Sequence, residues 1–152
     1  MVAGLRALSP ALVILALLTA ASSPAAQAQA PADPATIAAA TQAAQVWLAF
    51  VDGRDYSQSW EAAAPVLQEA VTKAAWTQAV TQARGPLEPF GPRTLLGAQY
   101  TTSLPKAPPG SYVVLQYRTK VSQGREVVET VVPMLQPDGS WRVSGYYVRP
   151  AS

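Results

Sequence analysis

The chain has 152 residues, 49% of them hydrophobic and 13% charged, with a formal net charge of +2 and neither cysteine nor histidine. That length fits one domain rather than two, and so small a charge does not by itself argue for nucleic acid. The missing residue types exclude a disulfide framework, a thiol nucleophile, Ser-His and Cys-His pairs and the usual transition-metal sites, which leaves acid–base chemistry to carboxylates, lysine or tyrosine.

Taken in chain order, Met1 to Arg6 supplies one positive charge, residues 11–18 (ALVILALL) form a short apolar run, and Ala26, Ala28 and Ala30 stand in A-x-A spacing. This reads as a secretory signal peptide over residues 1–28, cut after Ala28 because Pro31 sits awkwardly in the protease's extended site. A membrane anchor needs about 20 apolar residues, far more than this run offers. The expected mature chain has no membrane span and works in the periplasm or outside the cell, with residues 29–33 as a disordered leader and 34–150 as a single α+β domain.

Asp33 followed by Pro34 marks a helix start, a capping side chain and then proline in the first turn. Ile37, Ala40, Ala44, Trp47, Leu48 and Val51 recur at helical spacing up to Asp52, and Gly53 ends the pattern. Asp55 and Gln58 resemble a capping box for a second helix with Tyr56, Ser59 and Trp60, which Pro65 breaks or restarts near VLQEAV. Thr72 caps a third, carrying Trp76, Ala79, Val80 and Ala83 and ending at Gly85-Pro86.

Beyond the punctuated segment GPLEPFGP (residues 85–92) the composition turns from Ala and Gln to Thr, Val and Tyr. A first strand spans about 94–103. After the proline-rich loop LPKAPPG, a second runs from Tyr112 to Val121 with Val113, Leu115, Tyr117 and Val121 on one face and Gln116, Arg118 and Lys120 on the other. The closing hairpin, EVVETVVPML–QPDGS–WRVSGYYV, has Pro137 and Asp138 in a type I turn and Gly139 left-handed, so Gln136 faces Ser140. That count pairs Leu135 with Trp141, Pro133 with Val143, Val131 with Gly145 and Glu129 with Tyr147, and a three-residue turn at Gln123 to Arg125 sets Tyr117 against Val131. Pro133 has no ladder donor, so a bulge is expected at Pro133-Met134, and it would change the phase of the residues before it.

In this register Glu129 is the lone carboxylate on an apolar face, near Tyr147 and Thr119. Two expectations compete. Buried without a partner, it has a raised pKa and exchanges protons; hydrogen-bonded to tyrosine or arginine, it is structural. Residues 29–104 carry four basic and six acidic side chains, and residues 105 onward six and three, which reads as ordinary solvated strand faces.

Four co-linear segments, WLAFVDGRDYSQSWEAAAP, KAAW with ARGPLEPFGPRT, YTTSLPKAPPGSYVVLQY and VETVVPMLQPDGSWRVSGYYV, resemble the exported bacterial family filed as domain of unknown function 4019, over Gln42 to Arg149. The resemblance implies a periplasmic protein and carries over no catalytic residue. The order of elements, three N-terminal helices packed on a curved four-stranded antiparallel meander sheet, is similar to cystatin-like and NTF2-like cones, though the usual NTF2-like order has an inserted hairpin.

The first functional reading is a non-catalytic module that binds a small molecule or an envelope protein, without cofactor or metal, with Trp47, Tyr56, Trp60, Glu129, Trp141 and Tyr147 lining a shallow cleft between helices and sheet. The second is a small NTF2-like enzyme using Glu129 or Asp52 with a tyrosine. The third is a structural homodimer through the outer sheet face bearing Val132, Tyr146 and Val148.

Overall fold

The structure is a computed structural model that describes residues 32–152. The expected signal peptide over 1–28 and the leader up to residue 31 lie outside the described residues. The elements follow in the order α1 (Pro34–Asp52), α2 (Tyr56–Glu61), α3 (Pro65–Ala70), α4 (Lys73–Arg84), a short 3-10 turn (Gly85–Leu87), β1 (Arg93–Thr101), β2 (Tyr112–Lys120), a second such turn (Ser122–Gly124), β3 (Glu126–Leu135) and β4 (Trp141–Pro150). The strands form one antiparallel sheet in the order β1-β2-β3-β4, so the α+β class holds. No helix among the described residues is long and apolar enough to cross a membrane.

The helix caps are where the sequence puts them. Asp33 Oδ1 accepts from the Ala35 N–H at 3.2 Å, Asp55 Oδ1 from Gln58 at 3.1 Å, and Thr72 Oγ1 from Ala75 at 3.3 Å, each satisfying an amide that has no partner inside its helix.

The helix count needs correction, because there are four α-helices and not three. Proline disfavours helical backbone in the residue before it, and Ala64 is extended at φ −64°, ψ 147°. The freed Ala64 N–H bonds Val143 O of β4 at 2.8 Å. Pro65 then starts α3 in the first turn, where its missing donor costs nothing. The break thus ties the helical layer to the sheet edge.

The core lies between the helices and one sheet face. Ala40, Ala44, Trp47, Leu48 and Val51 of α1 meet Val113, Leu115, Tyr117, Val131 and Val143. Tilted rings of Trp47, Trp76 and Tyr146 join the layers, with centroids 6.0 Å apart for the tryptophans and 5.4 Å for Trp47 and Tyr146. Burying such large rings supplies much of the apolar area removed from water.

The hairpin closes as expected, with Gln136 N–H to Ser140 O at 2.7 Å and Gly139 at φ 82°. Leu135 faces Trp141 and Pro133 faces Val143. Between Val132 and Pro133 the register shifts, and Ser144 of β4 is the extra residue; its Oγ donates to Val132 O at 2.8 Å. The irregularity is therefore one step earlier than Pro133-Met134, with its extra residue on the partner strand.

Past it, Val131 faces Tyr146 instead of Gly145, and Glu129 faces Val148 instead of Tyr147. One added residue inverts every later side chain of β4. Tyr146 turns toward the helices, and Tyr147 turns outward, 65% exposed.

The β2–β3 pairing also differs from the expectation, since Tyr117 faces Glu129 rather than Val131. The three-residue turn is Ser122–Gly124, bracketed by the bond from Val121 N–H to Arg125 O, with Gln123 and Gly124 both left-handed. Both strands slide by one residue, the pairing changes by two, and the expected faces survive. Val113, Leu115, Tyr117 and Val121 are buried, whereas Gln116, Arg118 and Lys120 are exposed.

On the outer face the loop after β1 folds back over the sheet. Tyr112 OH donates to Pro108 O at 2.6 Å, and Leu135 N–H bonds Ser111 O. The loop lies close over the sheet at Gly110, where a β-carbon would come 2.9 Å from the flexible end of Met134. The outer apolar face expected to carry a homodimer is consequently not formed as drawn: Val132 is 6% exposed and Tyr146 points inward.

Candidate functional site

Six side chains from two of the helices and all four strands converge where α1 and α4 end. Asp52 is the last residue of α1, Arg84 the last of α4 and Arg93 the first of β1, while Thr119, Glu129 and Tyr146 come from β2, β3 and β4. A carboxylate at a helix C-terminus opposes the helix dipole, and α1 has no basic residue in its last turn, so Asp52 needs cations from elsewhere in the chain.

Arg84 Nη2 donates to Asp52 Oδ1 at 2.7 Å, and Arg93 Nη1 and Nη2 donate to Asp52 Oδ2 and Oδ1 at 2.6 and 2.8 Å. Glu129, with no exposed surface, receives five bonds. Its Oε1 accepts from Arg84 Nη1 (3.2 Å), Arg93 Nη2 (3.1 Å) and Tyr146 OH (2.6 Å); its Oε2 accepts from Arg93 Nε and Thr119 Oγ1, each at 2.6 Å. Arg84 Nη1 also donates to Tyr146 OH at 2.7 Å, so that hydroxyl accepts from the arginine while it donates to Glu129.

Two guanidiniums balance two carboxylates. The Phe90 ring lies against the Arg84 guanidinium, 3.6 Å from centroid to Cζ, and the same loop is held by Tyr56 OH donating to Glu88 Oε1 at 3.0 Å and by an Arg54–Glu88 ion pair. Arg84 Nε and Tyr117 OH are the buried side-chain atoms without a hydrogen-bond partner among the described residues.

Burial alone would push the Glu129 carboxyl upward, but the Arg93 guanidinium, then Thr119 and Tyr146, hold it below its usual range. Asp52 is also held low, since Arg93 and then Arg84 outweigh its partial burial. Burial first, and then the neighbouring Glu129 carboxylate, push the Tyr146 hydroxyl well above its usual value. The expectation of a raised Glu129 pKa is thus corrected. The competing expectation, a structural carboxylate bonded to tyrosine and arginine, is the arrangement found, with Tyr146 in place of Tyr147. An ionised carboxylate with five donors has little capacity left to accept a proton from a substrate.

The other expected site residues are dispersed. Trp47 is 2% exposed in the core and donates to Ser59 O at 2.7 Å. Tyr56 is buried under Glu88. Trp60 is half-buried, donating to Val71 O at 2.9 Å under the Lys73 ammonium. Trp141 borders a shallow groove of about 570 Å³ beside Val46 and Phe50 of α1. Trp47 packs on Trp76 and Tyr146 and also borders the groove beside Trp141, so of the expected site residues these two tryptophans share a concavity, while Tyr56, Trp60, Glu129 and Tyr147 lie outside it.

Tyr147 lines a different concavity. A cleft of about 580 Å³ opens along the edge strand β4, bordered by Leu67 of α3, Trp76 of α4, Leu104 and Lys106 of the folded-back loop, and Tyr146 and Tyr147. Its volume falls in the range of small-molecule sites, as does that of the groove beside α1, and its lining is largely apolar and aromatic. Tyr146 belongs to both regions, bordering the cleft while its hydroxyl joins the cluster.

The sequence reading missed Arg84, Arg93 and Tyr146 as members of the cluster and Lys106 as part of the cleft. The visible signals were the acidic end of α1 and two arginines bracketing GPLEPFGP; nothing local says that they meet.

A family model described as protein of unknown function (DUF4019) matches residues 43–146. Among curated proteins, none matches the chain.

Proposed function

The chain belongs to the family described as protein of unknown function, DUF4019, and from the geometry of the two regions we propose that it is an exported, non-catalytic binding module that takes its ligand in the cleft along β4. The observation that carries this reading is the saturation of Glu129. The best-placed carboxylate of the fold is fully buried, ionised and bonded five times. The cleft, in contrast, has a largely apolar and aromatic lining in which Tyr147 is well exposed and Trp76, Leu67 and Val132 form a buried floor.

Export rests on the residue pattern of the first 28 positions, and mass measurement of the exported chain tests it, with Gln29 expected at the new N-terminus. Helices packed on one face of a meander sheet support the cystatin-like or NTF2-like comparison, with the helices placed first.

Recovery of the exported protein under native conditions, followed by mass spectrometry of whatever travels with it, tests the binding reading. A bound molecule recovered unchanged, and released by Tyr147→Ala but not by Glu129→Gln in the folded fraction, is the expected result. Turnover of that molecule, abolished by Glu129→Gln at unchanged stability, would favour the enzyme reading with Glu129 and a tyrosine. A concentration-dependent dimer without any small molecule would favour the homodimer.

A further inference from the structure

We propose that the cleft along β4 receives a single-chain anionic amphiphile of the long-chain carboxylate class, its tail on the aromatic wall and its head group paired with Lys106. The inference deepens the binding reading above and rests on it.

Charge is the first ground. Among the described residues that line the cleft, Lys106 alone is charged; it is exposed and has no carboxylate partner among them. The other walls include Leu67, Trp76, Leu104, Val132, Tyr146 and Tyr147. An apolar chain removed from water gains free energy along its whole length, whereas a carboxylate gains only where a cation can meet it. The cleft offers one such place.

The backbone is the second ground. Ala107 N–H bonds Leu104 O at 3.2 Å, closing a turn with Pro105 and then Lys106 at its centre, and Lys106 has φ 62°. Proline followed by a left-handed residue is the type II pattern, in which glycine or asparagine is favoured at the second position. A β-carbon there is a cost that turn formation does not require. Turn geometry does not call for lysine at this position, and the residue borders the cleft.

The loop itself is held firmly. Tyr112 OH reaches Pro108 O at 2.6 Å, and Leu135 N–H bonds Ser111 O. Lys106 is thus presented from a pinned turn, which limits the ordering cost of pairing with a ligand.

The substitution Lys106→Gly removes the cation while easing the left-handed backbone, so the fold is retained. Calorimetric titration of the wild-type chain and of this variant with dodecanoate, dodecanol and dodecyltrimethylammonium separates the outcomes. The expected result is tightest binding of dodecanoate to the wild type, about fivefold weaker binding to Lys106→Gly, as expected for one surface ion pair, and no change for dodecanol. Equal affinity for all three amphiphiles, unaffected by the substitution, would overturn the anionic class and leave the binding reading standing. No binding of any probe, together with a different molecule recovered from the native protein, would overturn this inference while the cleft keeps its role. Sedimentation with phosphatidylglycerol vesicles without binding of free dodecanoate would also overturn it, in favour of a membrane surface.

Discussion

The buried cluster and the cleft along β4 treat charge in opposite ways, and one tyrosine stands between them. In the cluster, Arg84 and Arg93 meet Asp52 and Glu129, and the two hydroxyls of Thr119 and Tyr146 complete the set. The cleft has Lys106, on a turn with a left-handed backbone, as its one charged lining residue among the described residues. The first arrangement closes the molecule and the second leaves a partner to be supplied. A conspicuous group of ionisable residues is thus no guide to function when every charge is already answered inside the fold.

The largest expected effect is from Arg84→Ala, which leaves two carboxylates sharing one arginine. Breaking a buried pair in this way costs about 3–5 kcal/mol, and urea unfolding measures it. A loss below about 1 kcal/mol, the level of an exposed pair, would show that the cluster is not the lock described above.

Lowering the pH probes the same lock. Both Glu129 and Asp52 are held low in the folded chain. Their contribution is present above the unfolded carboxylate values, near about 4, and is lost as the pH falls through the depressed folded values. The expected unfolding midpoint therefore falls with acid, and less steeply in Glu129→Gln. Equal slopes in the two proteins would assign the acid sensitivity elsewhere.

A smaller loss is expected from Ser144→Ala, which removes the bond from its Oγ to Val132 O at 2.8 Å. One such hydrogen bond contributes about 1 kcal/mol, and the thermal midpoint reports it. Because this residue sits at the shift that sends Tyr146 inward and Tyr147 outward, near-ultraviolet circular dichroism should also register any slip in register.

The smallest stability effect belongs to Tyr147→Ala. The ring is 65% exposed, and a change there should stay within about 0.5 kcal/mol while ligand affinity drops. A large stability loss would mean that Tyr147 serves packing and not the cleft, and the contrast between the two regions would weaken.

The sequence by itself determined the caps at Asp33, Asp55 and Thr72, the buried stripe of α1, the alternation of β2, the turn at Pro137 to Gly139 and the family. Each is a local matter, decided by one residue's hydrogen bonds, by a backbone preference or by a short period of apolar residues. Pro65 shows the limit: it announced a break or a restart, and the structure shows a restart, with the Ala64 N–H satisfied by Val143 O of β4. Pro133 likewise announced a bulge, but the sequence put it at Pro133-Met134, whereas the extra residue is Ser144 on the partner strand.

The tertiary structure alone decided the rest. Placing that residue at Ser144 fixed which of two adjacent tyrosines joins Glu129, because strand side chains alternate and a single insertion inverts them. Arg84 and Arg93 reach Glu129 from 45 and 36 residues away in the chain. Coulomb energy depends on distance in space, and distance along the sequence says little about it once helices and strands have packed. So the sequence could mark Glu129 as a carboxylate on an apolar face, while its ionisation, its saturation and its exclusion from the cleft were settled only by the fold.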